Sequence, residues 1–112
     1  MIDIEKVKEY TGADEEFISS LYRKFESHLD EDLKVLRIET GTANWGEVRK
    51  KVHAMLSSAR IFFLNDIVEL SMNIEAKVDA EEYNDLPKMV DDLINLYQAF
   101  QKEGQTLFAS SY

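Results

Sequence analysis

The spacing of apolar residues constrains this chain most, because it follows the period of an α-helix almost throughout. Between Asp14 and Gly41, large apolar residues recur at intervals of four and three, at Phe17, Leu21, Phe25, Leu29, Leu33 and Leu36. No segment shows the alternation of a half-buried strand. Only 4 glycines and 1 proline interrupt the 112 residues, which favours a few long elements. We therefore predict an all-α chain.

Polar residues and glycines divide this pattern into four long helices preceded by a short one. The predicted boundaries are Asp3 to Gly12, Asp14 to Gly41, a helix that opens with an Asn44–Glu47 capping box, a cap or kink at Asn65 into a continuing helix, and a last helix from Asp85 to about Gly104. Short polar turns join them. This pattern predicts an antiparallel four-helix bundle with a short extra N-terminal helix, in a single domain over residues 1–112.

Composition narrows the classes of function. The formal net charge of −9 argues against nucleic-acid binding, which needs a basic surface. The chain has no cysteine, so disulfides and thiolate metal sites are excluded. It has neither a signal-peptide pattern at its start nor an apolar run approaching the ~18 residues of a membrane span. We expect a cytoplasmic protein without a membrane segment.

One short basic segment stands out in this acidic chain. Residues 49–60 contain four cationic side chains, one histidine (His53) and no carboxylate. On a helix, with about 100° per residue, Arg49, Ser57, Arg60 and Leu64 lie within about 40° of His53. The apolar residues of the segment lie on another side. We therefore expect the imidazole to face solvent, flanked by two guanidinium groups.

A neutral imidazole is a competent nucleophile near neutral pH, and nearby cations stabilise a phosphoryl group carried on it. The segment alone equally fits an ordinary surface histidine among solvated cations. The second histidine, His28, has Asp32 four residues later but no other histidine nearby, and we interpret it as a surface residue.

The segment around His53 resembles the signature of histidine phosphotransfer (HPt) domains, which runs roughly Ala-His-x-Leu-Lys-Gly-Ser-Ala and ends Leu-Glu. The residues that match or nearly match are Val52, His53, Met55, Ser58 and Ala59, followed in register by Ile67, Leu70, Ile74 and Glu75. Upstream, residues 11–17 are similar to the family's Thr-Gly-Gly-Asp entry into its long helix. Residues 44–48 are similar to its Asp-Trp entry into the histidine helix. The resemblance spans about residues 7–103.

This resemblance implies a four-helix bundle in which His53 carries a phosphoryl group between the aspartates of receiver domains. The implied partners are response-regulator receivers and a hybrid sensor histidine kinase. The chain would need no cofactor, since the receiver supplies Mg²⁺ and most catalytic groups, and it would act as a monomeric carrier, not as an enzyme. The implied phosphoryl-stabilising residues are Arg60, Arg49, Lys50 and Ser57. The docking surface would surround His53 and include Leu56 and Leu64.

Three residues depart from the family pattern. Leu56 replaces the usual lysine three residues after the histidine, Ser57 replaces a glycine, and Phe63 replaces a second glycine. We expect Phe63 to pack at the rim of the core. The missing lysine supports an alternative, a pseudo-HPt or helical adaptor that binds receivers without being phosphorylated. A third possibility is an unrelated bundle whose surface histidine is incidental.

Overall fold

A computed structural model describes residues 2–109, and it places most of them in six α-helices and none in a strand. The helices are α1 (Ile4–Thr11), α2 (Glu15–Gly41), α3 (Trp45–Ala54), α4 (Leu56–Ile61), α5 (Asn65–Asp79) and α6 (Leu86–Leu107). The predicted all-α class is confirmed. None of the helices in this part of the chain is both long and apolar enough to cross a membrane.

The first two helices begin at the aspartates that the sequence predicts. The carboxylate of Asp3 accepts a hydrogen bond from the backbone N–H of Lys6, at 3.1 Å. That of Asp14 accepts one from Phe17, at 2.9 Å. Each bond satisfies an N–H that has no partner within its own helix. Helix α3 begins beside Asn44 as predicted, but the Asn44 side chain makes no capping hydrogen bond. The predicted capping box is therefore wrong in that detail.

Three helix ends share one backbone motif, in which a residue other than glycine takes the left-handed conformation. At the end of α4 the Leu64 N–H donates to the Ala59 carbonyl and the Phe63 N–H to that of Arg60, the pair of bonds of a Schellman motif. Phe63 has φ = 54°. The same motif centres on Ala43 after α2 and on Glu81 after α5.

The turn at Phe63 separates α4 from α5, where the sequence predicts a cap or kink at Asn65. Helix α5 starts anew at Asn65 and packs along α3. The histidine helix is itself irregular at Met55, which divides α3 from α4. Since α4 then packs against both α1 and α5, this segment is covered on more sides than a single helix face.

The four longer helices enclose one core: α2 packs against α3 and α6, and α5 packs against the same two helices. Leu29, Val52, Ile74 and Leu93 are among its fully buried members. A second apolar cluster joins the end of this core to α1. Its members are Ile2, Val7, Ile18, Tyr22, Phe62, Phe100 and Phe108.

Helix α6 ends at Leu107, three residues beyond the predicted end at about Gly104. Gly104 lies directly beneath the ring of Tyr22, and a Cβ atom there would stand 2.0 Å from Cε1 of that ring. The Tyr22 hydroxyl donates to the backbone carbonyl of Gln101, at 2.7 Å. Phe108, directly after the helix, is buried, whereas Leu107 at its end is 44% exposed.

Candidate functional site

Helix α3 presents His53 to solvent because its apolar residues face the core. Val48 and Val52 are fully buried and Met55 is nearly so, while 66% of the His53 side chain is exposed. This placement confirms the exposure that the helical spacing predicts. An exposed imidazole on a rigid helix is accessible to a macromolecule that approaches from outside the bundle.

A carboxylate from α5 contacts the histidine ring. The Nδ1 atom of His53 lies 2.8 Å from Oε1 of Glu75, whose residue is only 8% exposed. Since a carboxylate oxygen accepts hydrogen bonds, this contact assigns the proton of a neutral ring to Nδ1. The lone pair is then on Nε2, at the opposite side of the ring. Within residues 2–109 that nitrogen has no hydrogen-bond partner.

Glu75 also contacts Arg49, and through it Asp79. The Nη1 atom of Arg49 lies 3.3 Å from the same Oε1 atom that His53 contacts. Its Nε and Nη2 atoms donate to the two carboxylate oxygens of Asp79, at 2.7 and 3.1 Å. The hydrogen bond to Asp79 raises the pKa of Arg49, and the hydrogen bond from Arg49 lowers the pKa of Asp79. In this structure two carboxylates engage the Arg49 guanidinium, and its phosphoryl-stabilising role stays a prediction.

The other three residues predicted to stabilise a phosphoryl group are exposed. Ser57 and Arg60 lie on α4, one and two turns beyond His53. Arg60 forms no ion pair with any carboxylate of the described chain, so its charge is not neutralised locally. Lys50 forms only a long contact with Glu47, at 3.5 Å, and 78% of its side chain is exposed. Of the three predicted cations, Arg60 is the one most available to an incoming anion.

The prediction that Leu56 lies on a docking surface is wrong. Leu56 is only 2% exposed, because α1 and α5 both pack against α4 and widen its buried side. Leu64 is partly buried and packs against both apolar clusters, so only part of its side chain meets solvent. Phe63 is partly buried at the edge of the second cluster, as predicted.

An open groove of about 510 Å³ lies between α2 and the α3–α4 segment. Its polar residues include Lys24, His28 and an ion pair between Lys51 and Asp32, whose Nζ and Oδ1 atoms are 3.0 Å apart. Asp32, four residues after His28, thus forms its ion pair with Lys51. His28 is exposed, as expected of a surface residue.

Sequence reasoning missed the partner of His53. Glu75 is the last residue of the HPt-like pattern, and an acidic residue at that position was the only signal in the sequence. Its distance from the imidazole depends on how α5 packs along α3, which the sequence does not show. Asp79 lies outside the pattern altogether. No group of three or more histidine, aspartate or glutamate side chains among the described residues could hold a metal ion.

Comparison of the chain with protein-family models, with curated proteins and with solved structures found no match.

Proposed function

We propose that this chain is a histidine phosphotransfer protein, built as an antiparallel four-helix bundle with α1 across one end, and that His53 is its phosphoryl carrier. The observation that carries the proposal is the pairing of an exposed imidazole with a buried carboxylate. Glu75 lies 2.8 Å from Nδ1 of His53, which leaves Nε2 free on the solvent side.

The proposed reaction uses that free nitrogen. A receiver domain brings a phosphoryl group on an aspartate, together with the Mg²⁺ that neutralises it. The Nε2 lone pair of His53 forms a bond to phosphorus as the bond between phosphorus and the aspartate oxygen breaks, and the receiver's carboxylate leaves. The ring keeps its Nδ1 proton, and the hydrogen bond to Glu75 stabilises the positive charge that develops on the imidazole. The reverse reaction passes the group to a second receiver.

The residues around His53 support such a transfer. Arg60, exposed on α4, supplies an unpaired cation, Ser57 offers an exposed hydroxyl donor, and Lys50 is an exposed cation on α3. We propose that the receiver docks around His53, on a surface that includes the exposed part of Leu64 but not Leu56. The same proposal names a hybrid sensor histidine kinase as the upstream partner, and it places the chain in the cytoplasm as a monomer.

The test is label transfer from a panel of phosphorylated receiver domains to three proteins: the wild type, His53→Gln and His28→Gln. The proposal predicts an acid-labile, base-stable label on the wild type and on His28→Gln, and none on His53→Gln. His28→Gln is the matched control, since it removes the other exposed histidine. A wild type that stays unlabelled, while a known relay protein is labelled by the same receivers, would contradict the proposal.

A second candidate is a helical adaptor that binds receivers without phosphorylation. One observation favours it: the position where the resembled family has lysine holds the buried Leu56, so no cation is available there. Under this alternative, Arg49 and His53 serve only to satisfy the buried carboxylate of Glu75. Equal receiver binding by the wild type and His53→Gln, with no label transferred to either, would favour the adaptor.

A further inference from the structure

We infer that Asp79 sets how strongly His53 holds a phosphoryl group, by withholding the guanidinium of Arg49 from it. This inference rests on the proposed function, because it concerns a phosphoryl group on His53. Asp79 lies outside the HPt-like pattern, and its proposed role is indirect because it acts through Arg49.

The geometry places Arg49 beside the imidazole. The Arg49 Nη1 atom and the His53 Nδ1 atom contact the same oxygen of Glu75, at 3.3 and 2.8 Å. Arg49 also precedes His53 by one helical turn on α3. Because Nε2 is at the opposite side of the ring from Glu75, the guanidinium would have to turn away from both carboxylates to reach a phosphoryl group there.

Asp79 opposes that movement. Two parallel hydrogen bonds, at 2.7 and 3.1 Å, join the guanidinium to the two oxygens of Asp79. A bidentate pair of this kind is stronger and more specific in geometry than a single hydrogen bond between arginine and a carboxylate. The Asp79 carboxylate is charged at neutral pH, and the hydrogen bond from Arg49 lowers its pKa further.

A phosphoryl group on His53 would compete with Asp79 for the same cation. While Asp79 holds Arg49, the phosphohistidine lacks this neutralising partner and remains easy to pass on or hydrolyse. Replacing Asp79 by asparagine removes the bidentate one of the two carboxylates that engage Arg49, retains the side-chain size, and leaves only the longer contact with Glu75. Arg49 would then pair with the phosphoryl group and slow its loss.

The experiment uses phosphoramidate, a small phosphoryl donor, so that it needs no receiver. The Nε2 lone pair bonds to phosphorus as the donor's phosphorus–nitrogen bond breaks and ammonia leaves. After the donor is removed, ³¹P NMR follows the half-life of the phosphohistidine in the wild type, Asp79→Asn, Arg49→Gln and the double variant. The control is Asp92→Asn, which breaks an exposed ion pair with Lys88 on α6.

We expect Asp79→Asn to lengthen the half-life by roughly two- to fivefold, the range that one exposed ion pair supports. The gain should vanish when Asp79→Asn is made in the Arg49→Gln background, and Asp92→Asn should behave as the wild type does. A merely structural role for Asp79 would shorten the half-life or leave it unchanged, with or without Arg49.

The other possible outcomes separate a failure of this inference from a failure of the proposed function. Equal half-lives in the wild type and Asp79→Asn would overturn the inference while leaving the carrier role of His53 intact. A gain that persists without Arg49 would overturn it as well. If phosphoramidate loads neither the wild type nor Asp79→Asn, the inference and the carrier role both fail. If it loads the wild type but no receiver does, the relay alone is contradicted and the half-lives still test Asp79.

Discussion

The Nδ1 atom of His53 lies 2.8 Å from Oε1 of Glu75, a residue 22 positions further along the chain. The histidine is exposed at the surface of α3, and the carboxylate is nearly buried on α5. The contact holds the ring in one orientation and in one tautomer. If His53 accepts a phosphoryl group as proposed, its ring is already in the reactive orientation and loses less conformational entropy during transfer.

Replacing Glu75 by glutamine should slow the phosphorylation of His53 without unfolding the protein. The amide has nearly the same size but no charge to stabilise the imidazole as it becomes cationic. We expect a loss of about tenfold or more in the transfer rate, the scale of other orienting partners. Single-turnover transfer from a phosphorylated receiver measures it. ¹⁵N NMR of the His53 ring should also show a larger share of the Nε2–H tautomer.

The matched control for Glu75→Gln is Glu69→Gln, which changes an exposed glutamate on the same helix. It should transfer at the wild-type rate with an unchanged ring tautomer. If Glu75→Gln also matches the wild type in both measurements, the carboxylate does not orient the histidine.

Restoring the lysine of the HPt-like pattern at position 56 should destabilise the protein. Leu56 is 2% exposed, so Leu56→Lys removes a buried apolar side chain and forces an ammonium group towards the interior. We expect the free energy of unfolding to fall by roughly 2–4 kcal/mol, less if the new side chain bends out to solvent. Urea denaturation measures the change.

Ser57→Lys provides the comparison for Leu56→Lys, because Ser57 is the exposed neighbour. It should alter stability by no more than about 0.5 kcal/mol. Equal stabilities of the two lysine variants would show that position 56 is open to solvent, contrary to the burial described above.

Gly104→Ala should destabilise the end of the bundle that α1 covers. The added methyl group would stand 2.0 Å from the ring of Tyr22, which has a hydrogen bond to Gln101 and no free space to retreat. We expect a loss of about 1–3 kcal/mol in the free energy of unfolding.

Gly46→Ala is the control for Gly104→Ala, because no atom lies within 4 Å of its added Cβ and it also stands in a helix. Higher helix propensity should raise stability there by about 0.5–1 kcal/mol. Calorimetry or thermal circular dichroism measures both variants. A Gly104→Ala protein as stable as Gly46→Ala would mean that Tyr22 does not pack on Gly104.

The ion pair between Arg49 and Asp79 should make stability depend on pH in the acid range. The hydrogen bond from Arg49 lowers the pKa of Asp79 in the folded chain below its ordinary value. The ion pair therefore contributes to stability above the ordinary aspartate pKa of about 3.9. This contribution is lost as the pH falls through the pKa of Asp79 in the folded chain. The stability difference between the wild type and Asp79→Asn should shrink steadily in acid.

Denaturation of both proteins at a series of pH values tests this dependence. Asp92→Asn serves as a second reference, since it removes the pair between Lys88 and Asp92 on another helix. A difference between the wild type and Asp79→Asn that stays constant from neutral pH to below the folded pKa would contradict the assignment.

Helical spacing was sufficient to predict the all-α class and the exposure of His53, but not the division of the histidine helix at Met55. It failed for Leu56, which lies about 60° from His53 by helical count. That angle places it at the edge of the exposed side of an isolated helix. Only the packing of α1 and α5 against α4 buries it, and no local pattern encodes that packing.

The sequence predicts a cap or kink at Asn65 but not the backbone conformation of the turn between α4 and α5. A glycine usually takes the left-handed position of a Schellman motif, and this chain has Phe63 there, with φ = 54°. The ring is held by an edge-on contact with Tyr10, 5.3 Å between centroids, and by Lys6, whose Nζ lies 4.9 Å from it. A residue other than glycine disfavours the left-handed conformation, and these tertiary contacts offset that cost at Phe63.

The central claim is that Nε2 of His53 carries the phosphoryl group. The most direct test is NMR of protein labelled with ¹⁵N in its histidines, recorded after incubation with a phosphorylated receiver and Mg²⁺. We predict a new phosphohistidine whose ring shifts and ³¹P coupling place the phosphoryl group on Nε2 of His53, with His28 unchanged. A phosphoryl group on Nδ1 or on His28, or two unmodified rings beside a receiver that phosphorylates a known relay protein, would contradict the account.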